Sequence, residues 1–177
     1  VFEDAALCDS HPYTDRKGIQ THGARLQGDR LVLPLRDADG TVHSLQFIGP
    51  DGDKRYLTGG RKAGCYFDIG EPDGVLCVAE GFATGASIHE ATGYAVAVAF
   101  DAGNLAAVTK ALHKKHPDLR VIVCADDDYL TAGNPGISKA TEAALSIGAL
   151  LAVPDFGAGW PENATDFNDL HQCAGLD

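Results

Sequence analysis

The stretch that decides the fold is Val75-Leu76-Cys77-Val78-Ala79, which is followed directly by Glu80 and Gly81. A continuous apolar run of this kind is typical of a β-strand that is buried on both faces. Three further apolar runs lie at 95–100, 120–125 and 149–153. Helices are predicted between and after these strands, at 84–92, 105–116, 136–147 and 166–173. Strands that alternate with helices indicate an α/β domain in which helices flank both faces of a parallel sheet.

The segment before this domain has a different pattern, which is typical of antiparallel strands joined by turns. Two apolar or alternating runs flank Asp37-Ala38-Asp39-Gly40, and an Asp-x-Asp-Gly turn in that position indicates a β-hairpin. A second turn at 50–53 leads into Lys54-Arg55-Tyr56-Leu57, and 65–69 is predicted to be another short strand. The segment is therefore expected to form a small antiparallel meander.

We expect the chain to have two parts, a small antiparallel β subdomain over residues 1–72 and an α/β domain over residues 73–177. The irregular start of the first part is predicted to contain a short helix near Asp4–Cys8. Charge is divided between the parts as well. Residues 1–70 carry 9 Lys and Arg against 10 Asp and Glu, whereas residues 71–177 carry 5 against 15.

The composition is that of a globular protein, with 177 residues, of which 45% are hydrophobic and 22% charged. No stretch approaches the run of about 18 apolar residues that a membrane-spanning helix needs. The formal net charge is -11. Such acidity argues against a plain nucleic-acid-binding protein, because phosphates require a basic surface.

The cysteines and the first residue give further expectations. The five cysteines include no Cys-x-x-Cys pair, which argues against a zinc site. The apolar neighbours of Cys77 and Cys124 indicate buried, reduced thiols, and we expect a cytoplasmic protein. The chain begins at Val1 and contains no Met, so it is expected to be a piece of a longer protein.

Polar and acidic side chains follow three of the four predicted strands of the α/β domain. Glu80 follows the first strand, and Asp101 and Asn104 lie after the second. Asp126-Asp127-Asp128 follows the third. Ligands bind at the carboxyl ends of the strands in open parallel sheets, so these carboxylates are expected to converge. Clustered carboxylates repel one another unless a cation lies between them, and oxygen ligands suit Mg²⁺ or Mn²⁺. The alternative is that these acids cap helices or face solvent.

Two motifs of the α/β domain resemble those of the TOPRIM family, which is shared by bacterial-type primases, topoisomerases and some nucleases. The first is Val78-Ala79-Glu80-Gly81-Phe82-Ala83-Thr84-Gly85, and the second is Asp126-Asp127-Asp128 with Asn134-Pro135-Gly136. The ending Thr165-Asp166-Phe167-Asn168-Asp169-Leu170 and the segment Gly64-Cys65-Tyr66-Phe67 resemble the primases of plasmids, phages and integrative elements. Those primase modules are often fused to a helicase. The resemblance implies a Rossmann-like TOPRIM sheet.

The resemblance also implies a function, that of a DNA primase core which makes short RNA primers on single-stranded DNA from nucleoside triphosphates. It implies that Glu80 is a metal ligand or general base, and that Asp126 and Asp128 hold Mg²⁺ or Mn²⁺. Asp127 occupies the variable middle position of the motif, yet it is acidic and is expected to assist. One departure is the loop Tyr129–Gly133, which lengthens the stretch found in a typical replicative primase and leaves the metal geometry open.

Cations are the second requirement of such a site, because the phosphates must be held. The candidates lie in the first part of the chain and are Arg16, Lys17, Lys54, Arg55, Arg61 and Lys62. We expect them to bind nucleotide or template DNA. The alternative for each is a place on a solvated basic face.

Four further polar residues are candidates for lining the site. Asp101 and Asn104 are expected either to line it or to cap the helix that follows them. Asp166 and Asp169 are expected to add acidic contacts, and the alternative is that Thr165 or Asp166 caps the last helix. Trp160 lies in a loop rich in Gly and Pro and is expected to pack rather than to stack on a base.

Other functions remain open at this point, namely a TOPRIM nuclease that cleaves phosphodiester bonds and a non-catalytic nucleic-acid-binding TOPRIM module. The basic-flanked segment ahead of the α/β domain favours the primase, because it resembles the segment that precedes TOPRIM in primases. A receiver domain, which also binds Mg²⁺ at strand ends, is disfavoured because the Glu comes first and the expected Lys is lacking. The near-neutral first part holds most of the cations and is therefore the expected nucleic-acid surface.

Overall fold

The chain is built around two β-sheets, and the structure, a computed structural model, describes residues 2–157 and 161–176. Trp160, for which packing is predicted, lies outside the described residues. No helix of the described ranges is long and apolar enough to cross a membrane.

The first sheet is antiparallel, and its strands lie side by side in chain order. They are β1 (Ala6–Leu7), β2 (Arg25–Gln27), β3 (Arg30–Arg36), β4 (Val42–Ile48) and β5 (Lys54–Tyr56). The predicted hairpin is confirmed as β3 with β4, and the strand predicted to begin at Lys54 is confirmed as β5. This sheet therefore holds Lys54 at the start of an edge strand.

The first helix lies at a different place from the one predicted. The helix expected near Asp4–Cys8 is wrong, because Ala6–Leu7 pair with β2 as a strand. The helix is α1 (Pro12–Lys17), whose first position is occupied by a proline. The His11 side chain accepts a hydrogen bond from the backbone N–H of Tyr13 and so caps the helix. Local capping chemistry thus sets where the helix begins.

The second sheet consists of β6 (Phe67–Ile69), β7 (Val75–Ala79), β8 (Ala95–Val98), β9 (Arg120–Cys124) and β10 (Leu150–Ala152). Their order across the sheet is β10-β9-β7-β8-β6, and the sheet is parallel except for β6. The helices are α2 (Phe82–Thr92), α3 (Leu105–Lys115), α4 (Pro135–Leu145) and α5 (Phe167–Ala174), with a 3₁₀ turn at Ala102–Asn104. The predicted strands and helices of this domain are confirmed to within two residues at each end.

Strand β6 joins a different sheet from the one expected, since the strand predicted at 65–69 pairs with β8 rather than with the meander. Phe67 and Ile69 are buried whereas Asp68 is exposed. The ring of Phe67 packs edge to face on that of Phe82 in α2, with 5.8 Å between the centroids. Burial against α2 explains the pairing with the second sheet. The boundary at residue 72 stays a prediction, because β6 precedes it and belongs to this sheet.

The two sheets share one hydrophobic core. A bridge between Arg36 and Tyr66 links the end of β3 to the segment that enters β6. Buried side chains of the first sheet, such as Leu33, belong to the same cluster as Phe82 of α2 and Val98 of β8. The opposite face of the second sheet is covered by α3 and α4, which form a second cluster. The first sheet is thereby held beside the carboxyl ends of the parallel strands.

Candidate active site

The candidate site lies where β7 and β9 end. These strands are parallel neighbours, with Ala79 opposite Cys124, so the residues that follow them emerge at the same edge of the sheet. Glu80 follows β7, and Asp126 and Asp128 follow β9 after Ala125. We call Glu80, Asp126 and Asp128 the acid cluster. The structure therefore brings together the three residues that sequence reasoning placed at the centre of the site.

Asp126 is the most perturbed member of the acid cluster. Burial is the main cause that raises the pKa of its carboxyl to about 8. The negative charges of Asp166, Glu80 and Asp128 act in the same direction. Its Oδ1 atom is buried and has no hydrogen-bond partner among the described residues. A buried carboxylate oxygen without a donor is a group that a cation would satisfy.

Glu80 is half-buried, and its carboxyl is perturbed in the same sense. Burial is again the largest cause that raises its pKa, followed by the charges of Asp128 and Asp101. The backbone N–H of Ala102 donates a hydrogen bond to the carboxylate and partly offsets these effects, as does Lys54. The 3₁₀ turn after β8 therefore helps to position the Glu80 side chain.

The remaining Asp residues of the motif are held by the start of α4. Asp128 accepts a hydrogen bond of 3.0 Å at Oδ2 from the backbone N–H of Gly136. Asp127 accepts one of 2.6 Å from the Asn134 side chain, so it is engaged with the helix cap rather than with Asp126. A Cβ at Gly136 would lie 2.2 Å from the backbone oxygen of Asp126. Only glycine permits this close approach of α4 to the acid cluster.

The donor set of the acid cluster fits a divalent cation. Among residues 2–157 and 161–176, no three His, Cys, Asp or Glu side chains are placed so that they enclose a metal ion. The chemistry of the cluster nevertheless favours one, because all its donors are oxygens, and burial together with their mutual repulsion raises the pKa values of Glu80 and Asp126. The unpartnered Oδ1 of Asp126 is the observation that supports this fit most directly.

Asp166 and Asp169 lie at the start of α5 and have different surroundings. Asp166 is the N-cap, and its Oδ1 accepts hydrogen bonds of 2.8 Å from the backbone N–H groups of Asn168 and Asp169. Its charge also acts on Asp126, so Asp166 is both a helix cap and a neighbour of the acid cluster. Asp169 accepts a hydrogen bond of 2.9 Å from the Thr165 backbone and thus faces its own helix start.

Lys54 is the cation that the structure brings to the acid cluster. Its side chain is exposed, yet the surrounding protein atoms reduce its hydration, and this loss of hydration lowers the pKa of its ammonium group. The charge of Lys17 acts in the same direction, whereas Glu80 and Asp126 oppose it. The first sheet and α1 therefore supply positive charge opposite the carboxylates of the second sheet.

The other predicted cations lie farther from the acid cluster. Lys62 is 3.1 Å from Asp101 and 4.4 Å from the centre of the Tyr56 ring, at the edge of the site. The three arginines contact only residues of the first part of the chain in these pairs. Arg16 donates to the Pro50 carbonyl at 2.9 Å, and Arg55 lies 3.5 Å from Asp53. Arg61 pairs with Asp37 at 2.9 Å. A role for these three in binding phosphates stays a prediction.

Asn104 is buried and ties the site loop to the first part of the chain. Its side-chain nitrogen lies 3.1, 2.9 and 2.8 Å from the carbonyl oxygens of Lys62, Cys65 and Ala99. Its side-chain oxygen accepts a hydrogen bond of 2.8 Å from the Gly64 N–H. The amide makes no side-chain cap to α3, so it neither caps that helix nor opens into the site.

Comparisons with known proteins identify the domain that carries the acid cluster. A family model described as "Toprim domain" matches residues 75–177. The chain belongs to the Toprim domain family. The predicted resemblance is thereby confirmed.

Relatives of the Toprim domain in this chain include two Escherichia coli proteins, both named DNA primase TraC. One is 42% identical in an alignment of 170 residues that covers 89% of this chain and 16% of the relative. The other is 41% identical in an alignment of 157 residues that covers 82% of this chain and 11% of the relative. The chain therefore spans less than a fifth of the length of the curated relatives that it matches. Both alignments are long enough to include residues ahead of the Toprim domain.

Solved structures share the fold of this chain at low sequence identity. The primase fragment of the bacteriophage T7 primase-helicase protein has a TM-score of 0.69 at 16% identity, over 99% of this chain and 74% of that one. The E. coli primase catalytic core has a TM-score of 0.51 at 19% identity, over 93% of this chain and 57% of that one. The expected fold class, a Toprim sheet preceded by an antiparallel β subdomain, is confirmed.

Two residues beside the Toprim acid cluster were missed by sequence reasoning. Phe100 lies two residues after the end of β8 and has a left-handed backbone (φ 71°), and its N–H donates to the Glu80 carbonyl at 2.8 Å. Strain of this kind is concentrated at functional sites. The Tyr56 hydroxyl donates to the Phe100 carbonyl at 3.2 Å and accepts from Gln46 at 2.8 Å. Tyr56 lies in the quoted segment 54–57, whereas nothing in the sequence indicates the backbone of Phe100.

Proposed function

We propose that this chain is the catalytic core of a DNA primase, which joins ribonucleotides into short primers on single-stranded DNA by metal-dependent nucleotidyl transfer. The observation that carries the proposal is the position of Lys54, on the first sheet, beside the carboxylates of the Toprim domain. Transfer of a nucleotidyl group requires both charges, since carboxylates position the metal and cations hold the phosphates. The names of the two E. coli relatives support the same function.

In this proposal Glu80, Asp126 and Asp128 hold Mg²⁺ or Mn²⁺, and Asp127 and Asp166 lie at the border of the cluster, where their negative charges assist in attracting the cation. The bound cation supplies charge neutralisation at the phosphate oxygens and polarises them. Asp126 must lose its proton before it can act as a ligand, because its pKa of about 8 keeps it largely neutral at pH 7. Glu80 is also suited to accept a proton from the attacking hydroxyl, because burial raises its pKa toward neutrality.

Lys54 and Lys17 are proposed to bind the triphosphate of the incoming nucleotide. Both lie on the side of the cluster formed by the first part of the chain, and repulsion from Lys17 adds to the loss of hydration that lowers the pKa of Lys54. An anion between them would remove that repulsion. Lys62 is the next candidate, because its partner Asp101 acts on Glu80. Arg55 has an exposed side chain and suits a contact with the template phosphates.

We further propose the setting in which the core works. Its partners would be single-stranded template DNA, nucleoside triphosphates and a helicase domain or protein, and it would act in the cytoplasm. The T7 protein, whose primase fragment shares this fold, is named a primase-helicase. The short share of the TraC relatives that this chain spans leaves room for further domains in them.

Primer synthesis on single-stranded DNA, with labelled nucleotides and either Mg²⁺ or Mn²⁺, tests this proposal. Glu80→Gln and Asp126→Asn are expected to lower the rate by at least about 100-fold, the usual scale for loss of a catalytic acid or base. Glu142→Gln and Asp118→Asn are matched controls, because both acids are exposed and lie outside the site. The controls are expected to keep the wild-type rate.

Two outcomes of this experiment would contradict the proposal. Cleavage of the template without synthesis would assign a nuclease instead of a primase. Synthesis that is unchanged in Glu80→Gln and in Asp126→Asn would remove the acid cluster from the chemistry.

A further inference from the structure

The loop Tyr129–Gly133 is an uncharged segment beside the acid cluster. It is longer than the corresponding stretch of a typical replicative primase. It begins directly after Asp128, and no charged residue occurs between that residue and Lys139. All five loop residues are exposed. Tyr129 and Leu130 have 47% and 69% of their surface exposed, so both side chains present apolar surface to solvent next to the acid cluster.

The loop is anchored to the backbone of the motif that carries the acid cluster. The N–H of Tyr129 donates to the Asp127 carbonyl at 2.8 Å, and that of Thr131 donates to the Asp128 carbonyl at 2.7 Å. The Tyr129 hydroxyl donates to the carbonyl of Glu162. The aromatic ring is thereby fixed in place while nearly half of the residue stays open to solvent. A fixed, exposed ring loses little conformational entropy when it binds a flat partner.

Tyr129 and Leu130 line an open hollow of about 660 Å³ together with Glu162 and Asn163. The amide of Asn163 can both donate and accept hydrogen bonds, as the edges of bases do. The one charged lining residue is acidic, so the hollow repels phosphates. Its chemistry therefore suits the uncharged, flat part of a nucleotide.

The two sides of the acid cluster differ in charge, as do the phosphate side and the base side of a single-stranded nucleic acid. Lys17 and Lys54 lie on the side of the first sheet, whereas the neutral loop lies on the Toprim side. A single strand has phosphates along one side and bases along the other. Aromatic platforms bind single-stranded bases without sequence preference by stacking on them.

We propose that Tyr129, with Leu130 beside it, is a stacking platform for a base of the single-stranded DNA template. The inference rests on the proposed primase function, because it places the template across the acid cluster. The platform holds a base while the cations on the opposite side hold the backbone.

The test measures binding of an oligothymidylate that carries one 2-aminopurine, in metal-free buffer at low salt and without nucleotides. A matched oligonucleotide with abasic sites keeps the phosphates and lacks the bases. Tyr129→Ala is expected to weaken binding of the first oligonucleotide by about 5- to 30-fold. It is expected to leave binding of the abasic one unchanged. Tyr129→Phe, which keeps the ring, is expected to retain wild-type affinity and the quenching of 2-aminopurine.

Matched controls separate stacking from a general loss of apolar surface. Tyr94→Ala removes a tyrosine of similar exposure, 41%, at the opposite end of the strands. Leu145→Ala is the control for Leu130→Ala, since it removes an exposed leucine at the end of α4. Both controls are expected to bind like the wild type. Thermal unfolding of every variant checks that the fold is intact.

Three results would overturn the inference. The first is that wild type and Tyr129→Ala bind oligothymidylate with equal affinity. The second is that Tyr129→Ala loses as much affinity for the abasic oligonucleotide as for oligothymidylate. The third is that the wild type binds the matching oligoribonucleotide more tightly than the DNA. The first is also the result expected if a protein partner occupies the loop. Because binding is measured without metal or nucleotides, it is independent of primer synthesis. Failure of the platform and failure of the primase proposal can therefore be told apart.

Discussion

Replacing Asp126 with Asn should change how the stability of the metal-free protein depends on pH. The usual pKa of an Asp carboxyl is 3.8, and that of Asp126 is raised to about 8. Between these values the folded protein keeps a proton that the unfolded chain has lost. The free energy of unfolding therefore falls as pH rises through this window, and the fall ends near pH 8. Asn resembles the neutral acid but does not titrate, so Asp126→Asn lacks this dependence.

The size of the effect follows from the width of the window. Each pH unit in which the folded state alone holds the proton changes the free energy of unfolding by about 1.4 kcal/mol. From pH 6 to pH 8, the gap between Asp126→Asn and the wild type should widen by about 2 kcal/mol. For a chain of this length that corresponds to about 4–8 °C in the unfolding temperature. The raised pKa of Glu80 adds to the wild-type slope in the same direction.

Thermal unfolding in a chelator, at half-unit steps from pH 5.5 to 8.5, measures this gap. Comparison of the two proteins cancels the titration of distant groups, and Asp118→Asn controls for the loss of an exposed acid. Saturating Mn²⁺ should stabilise the wild type and leave Asp126→Asn nearly unchanged. Parallel curves for the wild type and Asp126→Asn in the chelator would refute the reasoning.

Four further variants test the surroundings of the acid cluster. Gly136→Ala should destabilise the protein by about 1–3 kcal/mol in urea unfolding, because the clash with the Asp126 backbone outweighs the helix propensity of Ala; a gain in stability would contradict the close approach. Asn104→Ala should cost about 2–4 kcal/mol in the same assay, because it leaves buried backbone groups unpaired. Tyr56→Phe should lower primer synthesis and shift its pH profile, since it frees the Phe100 carbonyl beside Glu80; an unchanged profile would show that Tyr56 serves the fold alone. Lys54→Met should raise the KM for nucleotides in primer synthesis and move the acid limb of its pH profile upward, because Lys54 opposes the rise in the Asp126 pKa.

The α/β domain could be predicted from the sequence because its signals are local. The apolar run of β7 is interpretable as a buried strand without knowledge of its partners, and Glu80 must then emerge at the carboxyl edge. The cap of the last helix was similarly visible in Asp166. The short strand β6 was placed in the wrong sheet, because three alternating residues fit either partner equally well. The burial of β6 against Phe82 is a tertiary contact, and nothing in the sequence around β6 indicates it.

The cations show the same limit of sequence reasoning at the site. Lys54 and Arg61 are equivalent candidates in the sequence, because both are cations and both lie in the segment shortly before the α/β domain. The structure separates them, since Lys54 lies beside the acid cluster and Arg61 pairs with Asp37 near the hairpin turn. The sequence predicts that Asn104 caps a helix or lines the site. Its amide instead forms hydrogen bonds with residues 62–65 and Ala99. These contacts join residues that are far apart in the sequence, so they depend on how the two sheets pack against each other.

The most direct test of the acid cluster as a metal-binding site is the dissociation constant for Mn²⁺ as a function of pH. If the metal displaces the proton of Asp126, affinity should rise about tenfold per pH unit from pH 6 toward pH 8 and level off above it. Asp126→Asn should bind Mn²⁺ weakly at every pH, and Glu142→Gln should match the wild type. Affinity that is constant from pH 6 to 8, or undiminished in Asp126→Asn, would contradict the account.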